Sequence, residues 1–209
     1  MPANGIISSP LTLNRVDYVT SEQGGRLIGV TAGWPLWQIN IDLTTMTIDD
    51  ADEWEAWMLS LRGVQRTFLG TDPMRALPKF YRGGRPFQAS PSTWSQAIAG
   101  NGDARLTLHG LDAGQVVSVN DLIGFRWSGV SRRSLVRSLE TAVADADGTV
   151  TVTIEPPVPA VTPAYATANL QAPECIMRLV TDQTQLGALG LNGYVAAGGR
   201  IVGIQDLRP

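Results

Sequence analysis

Residues 37–73 read WQINIDLTTMTIDDADEWEAWMLSLRGVQRTFLGTDP, and two different periodicities succeed each other in this stretch. Over residues 37–44 apolar and polar side chains alternate, which is typical of a strand with one buried face. The apolar residues that follow are spaced i, i+3, i+4 and i+7, which is typical of one face of a helix. The sequence therefore predicts a strand and a packed helix that share a core of Trp37, Ile39, Ile41, Trp54, Trp57, Met58 and Leu61.

The predicted helix has marked ends. Thr47 or Asp49 can cap its first turn, and the acidic residues that follow suit the positive end of the helix dipole. Arg62 and Gly63 predict the end of the helix, because a cation suits the carbonyl end and glycine readily takes the left-handed conformation. A second strand is predicted over residues 64–69.

The composition predicts a mainly β fold. The chain has 209 residues, of which 44% are hydrophobic, so it can bury a sizeable core. Its 22 glycines and 13 prolines favour many turns over long helices.

The net charge of -3 gives no general reason to bind nucleic acid or anionic lipid. No apolar run is long enough to cross a bilayer and no secretory signal is recognised, so we expect synthesis in a cytoplasm and no membrane insertion.

Short strands separated by turn residues extend over most of the chain. Outside the opening stretch we predict strands at residues 15–20, 26–32, 106–108, 115–119, 122–127, 135–143, 150–154, 175–180 and 200–205. The first two form a hairpin around the turn-rich residues 21–25, and the closing segment over residues 186–199 is too rich in glycine to predict a helix.

The order of these elements indicates two parts. Residues 72–91 combine prolines, a glycine pair and cations, which is typical of a loop or a domain boundary. The strands beyond this loop, over residues 104–154, resemble a small β-barrel or sandwich. We therefore predict one domain built from residues 1–87 together with 173–209, and a small β domain inserted over residues 88–172.

The residue types needed for catalysis and metal binding are sparse. His109 is the only histidine and Cys175 the only cysteine, so one chain cannot assemble a metal site from either residue type. No G-x-S-x-G motif accompanies His109, and no phosphate-binding glycine motif occurs. Asp145 and Asp147 are predicted to form a hairpin turn rather than a calcium loop. We expect no enzyme activity, no metal and no cofactor.

Two sets of residues remain as candidates for contact with partners. Arginine and aromatic residues are frequent in protein interfaces, so the loop that contains Arg75, Lys79, Arg82 and Arg85 is a candidate interface. Contact of this loop with nucleic acid is the weaker alternative. Trp94 and Trp127 are weak candidates for a ligand-binding surface, because an exposed indole can stack on a sugar ring.

The opening stretch resembles a pattern found in distal tail proteins and minor tail proteins of long-tailed bacteriophages. The resemblance is carried by the strand at 37–43, the acidic-capped helix at 49–61, the Arg62-Gly63 turn and the TFLGTDP strand at 67–73. In the middle of the chain it is carried by LDAGQVVSV at 111–119 and ADADGTVTVTIEPPV at 144–158.

The resemblance implies a β-sandwich or split-barrel domain with one packed helix, and an inserted small β-barrel-like domain. It also implies a ring, often a hexamer, that connects the tail tube to the tail-tip hub or baseplate of a virion. Two alternatives stay open. A carbohydrate-binding module for host attachment would use Trp94 and Trp127, and a hydrolase would use His109.

Overall fold

The computed structural model describes residues 1–2, 4–21, 24–25, 27–87, 93–129, 131–188, 194–195 and 199–207. Within these residues the chain is mainly β with one α-helix, which confirms the predicted fold class. None of the described helices is long and apolar enough to span a membrane.

The described elements are numbered in chain order. The strands are β1 (Ile6–Ser8), β2 (Leu11–Asn14), β3 (Asp17–Ser21), β4 (Leu27–Thr31), β5 (Leu36–Leu43), β6 (Met46–Thr47), β7 (Thr67–Thr71), β8 (Thr93–Ile98), β9 (Ala104–His109), β10 (Val116–Val117), β11 (Leu122–Trp127), β12 (Arg132–Ser138), β13 (Ala142–Val143), β14 (Val150–Glu155), β15 (Thr167–Asn169), β16 (Glu174–Leu179), β17 (Tyr194–Val195) and β18 (Gly199–Gln205). The helix α1 covers Ile48–Leu61, and short 3-10 turns cover Pro73–Arg75, Lys79–Tyr81 and Thr181–Gln183.

The first six-stranded sheet joins the two ends of the chain. Its strands follow the order β1-β5-β18-β16-β7, with β2 also paired to β5, and every pairing is antiparallel. In β5, Trp37, Ile39, Ile41 and Leu43 are buried while the residues between them are partly exposed. This alternation is the one the sequence predicts, and it fixes which face of the sheet meets the core.

The helix α1 packs on this core and begins at the predicted cap. The Thr47 side chain accepts a hydrogen bond from the Asp50 amide, and hydrogen bonds from Thr47 and Asn4 lower the pKa of the Asp50 carboxyl. Trp54 and Leu61 are buried, and Trp57 and Met58 are partly buried against the same cluster. Trp54 donates from its indole nitrogen to the Asn4 carbonyl at 2.9 Å.

The second six-stranded sheet is formed by the middle of the chain. Its order is β15-β11-β12-β14-β9-β8, and a two-stranded pair of β10 and β13 accompanies it. The two edge strands, β8 and β15, lie close together, and Trp94 in β8 donates from its indole nitrogen to the Ala166 carbonyl beside β15 at 2.9 Å. This sheet therefore curls around its own core, which includes Leu106, Phe125 and Val152.

The two sheets share part of one core. Leu122 and Leu135, from the second sheet, belong to the hydrophobic cluster of the first sheet. The predicted division at residue 88 falls on residues 88–92, which lie outside the described residues. The strands of the first sheet come from residues 6–71 and 174–205, and those of the second from 93–169.

Two local predictions are corrected, and one is confirmed with an addition. Residues 64–66 form a turn and not a strand, so β7 begins at Thr67. The helix ends at the predicted Arg62-Gly63 turn with Gly63 left-handed, at φ 63°, and Arg62 also takes the left-handed conformation, at φ 51°. The strand predicted over residues 135–143 is two strands, β12 and β13. Of the glycine-rich closing segment, residues 189–193 and 196–198 lie outside the described residues.

Replacement of Trp54 by alanine tests the packing of the helix. Trp54→Ala should lower the free energy of unfolding by about 3–5 kcal/mol, because it empties a fully buried site beside the Trp57 ring, whose centroid lies 5.5 Å away. The effect of Trp57→Ala should be smaller, because Trp57 is only partly buried. Urea denaturation measures both changes.

Leu59→Ala is the matched control on the same helix. Leu59 is 70% exposed, so this change should stay within about 0.5 kcal/mol. If Trp54→Ala costs no more than Leu59→Ala, the helix does not pack on the first sheet as described.

Candidate functional site

The hairpin of β3 and β4 is the most exposed element of the described chain. The two strands pair only with each other among the described strands, and both are exposed along their whole length. Tyr18 and Leu27 are each 71% exposed. We name this hairpin, residues 17–21 and 27–31, the arm. The predicted strands at 15–20 and 26–32 correspond to it, and residues 22, 23 and 26 lie outside the described residues.

One face of the arm is apolar. Tyr18 lies directly opposite Val30, and Thr20 lies opposite Ile28. Because side chains alternate between the faces of a strand, Tyr18, Ile28 and Val30 share one face. Exposed apolar patches of this kind mark contact surfaces, and an isolated two-stranded hairpin is marginally stable in water. The arm therefore has the properties of a docking element.

The base of the arm is tied to both parts of the protein. The Ala32 amide donates to the Val16 carbonyl at 2.8 Å, which closes the hairpin. Arg15 forms an ion pair with Glu155 at the end of β14 in the second sheet. These contacts fix the base of the arm on the body of the protein, while the apolar face of the arm stays exposed to solvent.

A groove lies between α1 and β7, in which Leu69 is exposed while Leu61 and Phe68 are buried. The groove has a volume of about 380 Å³ and is lined in part by Trp57, Leu61, Phe68 and Leu69. The Trp57 and Phe68 rings meet edge to face, with centroids 5.3 Å apart. Beside it, β7 pairs with β16 on one edge and with no described strand on the other. We name this surface the α1–β7 groove.

The loop with the predicted interface residues is held mainly by contacts within itself. Arg75 forms an ion pair with Asp72 at 2.5 Å, and Arg82 donates to the Leu77 carbonyl at 3.0 Å. Arg85 donates to the Phe80 carbonyl at 3.3 Å, and its guanidinium lies 4.2 Å from the centre of the Phe80 ring. The Lys79 side chain is exposed. The interface role of these four residues stays a prediction.

Asp121 fixes this loop to the second sheet. Its buried carboxylate accepts from the Lys79 amide at 2.6 Å and from the Ser118 amide at 2.7 Å. Burial raises the pKa of Asp121, and these amide donors together with the Arg82 guanidinium oppose that effect. The 3-10 turn at Lys79–Tyr81 is thereby held at one position against the second sheet.

The two candidate ligand-binding tryptophans, Trp94 and Trp127, both pack against the core of the second sheet. Trp94 is partly buried and its ring centre lies 4.8 Å from that of Phe125, while Trp127 is partly buried against the core of the second sheet. His109 is exposed and lies 3.1 Å from the Thr149 hydroxyl. Burial raises the pKa of the Cys175 thiol. Within the described part of the chain, no three metal-binding side chains come together.

A charged junction between the two sheets is not predicted by any pattern in the sequence. Glu174 in β16 accepts from Arg133 in β12 at 2.6 Å and lies 3.2 Å from Arg126 in β11. Arg137 donates to the Leu11 carbonyl at 2.9 Å, and its guanidinium lies 4.8 Å from the centre of the Trp37 ring. These residues are far apart in sequence and belong to no motif.

Neither a comparison with models of known protein families nor one with curated proteins finds a match to this chain. The resemblance to phage tail proteins therefore stays a prediction.

Removal of the Glu174 carboxylate tests the junction. Glu174→Ala should lower the free energy of unfolding by about 2–3 kcal/mol, because it takes the carboxylate partner away from the largely buried Arg133. Chemical denaturation followed by tryptophan fluorescence measures the change.

Glu55→Ala is the matched control, since Glu55 is exposed on α1. It should change the free energy of unfolding by no more than about 0.5 kcal/mol. Equal effects of the two variants would show that the junction does not hold the sheets together.

Proposed function

We propose that this protein is a structural component of a bacteriophage tail tip, a ring-forming distal tail protein that connects the tail tube to the hub or baseplate. The observation that carries the proposal is the exposed apolar arm on a mainly β body with one helix. The sequence resemblance supplies the class of assembly, a ring that is often a hexamer. In this proposal the protein acts in the virion and catalyses no reaction.

The arm and the α1–β7 groove support a ring because they are different surfaces of one chain. A contact between two different patches is heterologous, so each copy uses its arm on one neighbour and its groove on the other. Such contacts close into a ring when the rotation between copies divides a full turn. The occupant of the groove is then the arm of the next copy.

The chemistry of the two surfaces is compatible. The arm presents aliphatic residues and one tyrosine, and the groove presents two aromatic rings and leucines beside Arg66 and two hydroxyl side chains. Because β7 pairs with no described strand on its other edge, an added strand can pair with it there. The carboxylates of the first turn of α1, Asp49 and Asp50, lie at the opposite end of the helix from the groove residue Leu61.

Single substitutions on each surface should break the ring. Tyr18→Asp in the arm and Leu69→Asp in the groove each place a charge in the proposed contact, so each variant should have the mass of one chain in light scattering where the unmodified protein has the mass of a closed ring. Tyr165→Asp is the control, because Tyr165 is 76% exposed on the second part of the chain and should leave the ring intact.

A mixture of the two variants tests whether the arm meets the groove. The Tyr18→Asp variant keeps an intact groove and the Leu69→Asp variant keeps an intact arm, so the mixture should form one-to-one dimers and nothing larger. A mixture that stays monomeric would show that the arm docks elsewhere. An unmodified protein that is monomeric at high concentration would overturn the ring itself.

A further inference from the structure

The loop over residues 72–87, which we name the cationic loop, presents positive charge to solvent. Its only carboxylate, Asp72, is buried and forms an ion pair with Arg75. Lys79 and Arg85 are exposed, and the side chain of Arg82 is 39% exposed. The Lys79 ammonium has no hydrogen-bond or ion-pair partner among the residues that the structure describes. The loop is therefore suited to a partner that carries negative charge.

The backbone that carries these cations is held in place by the second sheet. The buried Asp121 carboxylate accepts from the Lys79 amide at 2.6 Å, and the Tyr81 hydroxyl accepts from the Val116 amide at 2.9 Å. The Arg85 guanidinium lies 4.2 Å from the centre of the Phe80 ring. The loop is thus ordered before any partner arrives, which lowers the entropy lost on binding.

One face of α1 carries the opposite charge. Asp49, Asp52 and Glu53 are spaced i, i+3 and i+4, so they lie together on the helix, and all three are exposed. None of them has a hydrogen-bond or ion-pair partner in the described part of the chain. The sequence of α1 includes no lysine or arginine. Like charges at this spacing destabilise a helix, so the single chain leaves repulsion on this face uncompensated.

The helix dipole explains only part of this acidic face. Asp49 lies in the first turn, where the positive end of the dipole stabilises a carboxylate. Asp52 and Glu53 lie beyond the first turn, and the effect of the dipole falls off within that turn. A cation supplied from outside the chain would relieve the repulsion along the whole face.

A short series of contacts joins the cationic loop to the base of the arm. Glu155, the ion-pair partner of Arg15, lies opposite Arg137 in the pairing of β12 with β14. Burial lowers the pKa of the Arg137 guanidinium, and the charge of Arg75 in the cationic loop lowers it further. The arm and the cationic loop therefore begin close to each other.

The acidic face is in turn carried by the helix that forms one wall of the α1–β7 groove, through Trp57 and Leu61. A copy whose arm enters the groove of its neighbour thus brings its cationic loop towards the α1 helix of that neighbour. The two contacts are continuous and join the same pair of copies.

We propose that the cationic loop of one copy binds the acidic face of α1 of the next copy. This inference rests on the proposed ring and adds an electrostatic contact to the apolar one between arm and groove. A neighbouring copy is favoured over nucleic acid as the partner, because the net charge of -3 opposes a polyanion at long range. The same chain supplies exposed, unpaired carboxylates at the proposed position.

Charge reversal on the full chain tests the contact, with sedimentation velocity over a dilution series as the measurement. Lys79→Glu and Glu53→Lys should each raise the protein concentration at which half of the chains are assembled by about tenfold or more. The chain that carries both substitutions restores opposite charges across the contact, so its midpoint should return to within about threefold of the unmodified protein. Both positions are exposed, and the Lys79 amide that Asp121 binds is kept.

Salt gives an independent readout of the same contact. Raising sodium chloride from about 0.05 M to about 0.5 M screens exposed charges, so it should weaken assembly of the unmodified protein. The Lys79→Glu variant has already lost this attraction and should not be weakened further by salt. Asp147→Lys is the matched control, because it makes the same charge change as Glu53→Lys at an exposed turn of the second part of the chain. Its midpoint should equal that of the unmodified protein.

The outcomes separate this contact from the ring itself. A ring whose midpoint neither single variant changes would overturn the contact and leave the ring standing. Single variants that weaken the ring without recovery in the combined chain would also overturn the pairing of loop and helix. An unmodified protein that stays monomeric would overturn the ring and the contact together. An unchanged ring, with binding of a fluorescent single-stranded oligonucleotide that Lys79→Glu removes, would assign the cationic loop to nucleic acid instead.

Discussion

The contact of Trp37 with the second sheet holds the two parts of this protein in one arrangement. Its indole nitrogen donates to the Leu135 carbonyl at 2.6 Å, and its backbone amide donates to the Gln205 side chain at 3.2 Å. Arg137 covers the ring from the side of β12. Because Trp37 is fully buried, these bonds form where water cannot replace them. The positions of the arm and the α1–β7 groove relative to the second sheet depend on this packing.

Hydrophobic periodicity was sufficient to predict the elements that have one buried face, because their own residues decide which side chains are buried. The alternation in β5 and the spacing of Trp54 and Leu61 follow from one buried face, so both were predicted within a residue or two. The strand at residues 64–69 was misplaced because Arg62 and Gly63 are both left-handed, and the Arg66 amide then bonds back to the Leu61 carbonyl at 3.0 Å. Such a turn is not visible in hydrophobic periodicity.

The candidate surfaces were harder to predict because they depend on whether another element covers them, which their own residues do not show. The sequences of β3 and β4 contain valine, isoleucine and tyrosine like any buried strand, and nothing local indicates that no sheet covers them. Glu174 meets Arg133 across 41 residues of sequence, which no spacing rule anticipates.

The position of the arm outside both sheets has an energetic consequence for assembly. Among the described strands its two strands pair only with each other, and its apolar face is exposed rather than packed on either described core. A two-stranded hairpin of this kind is marginally stable in water, so burial against another surface supplies stabilisation that the single chain does not provide. The rest of the described chain buries its apolar residues in two hydrophobic clusters. A protein with a packed body and an exposed apolar hairpin can fold as a single chain. Assembly with other copies then buries the apolar surface that stays exposed in the single chain.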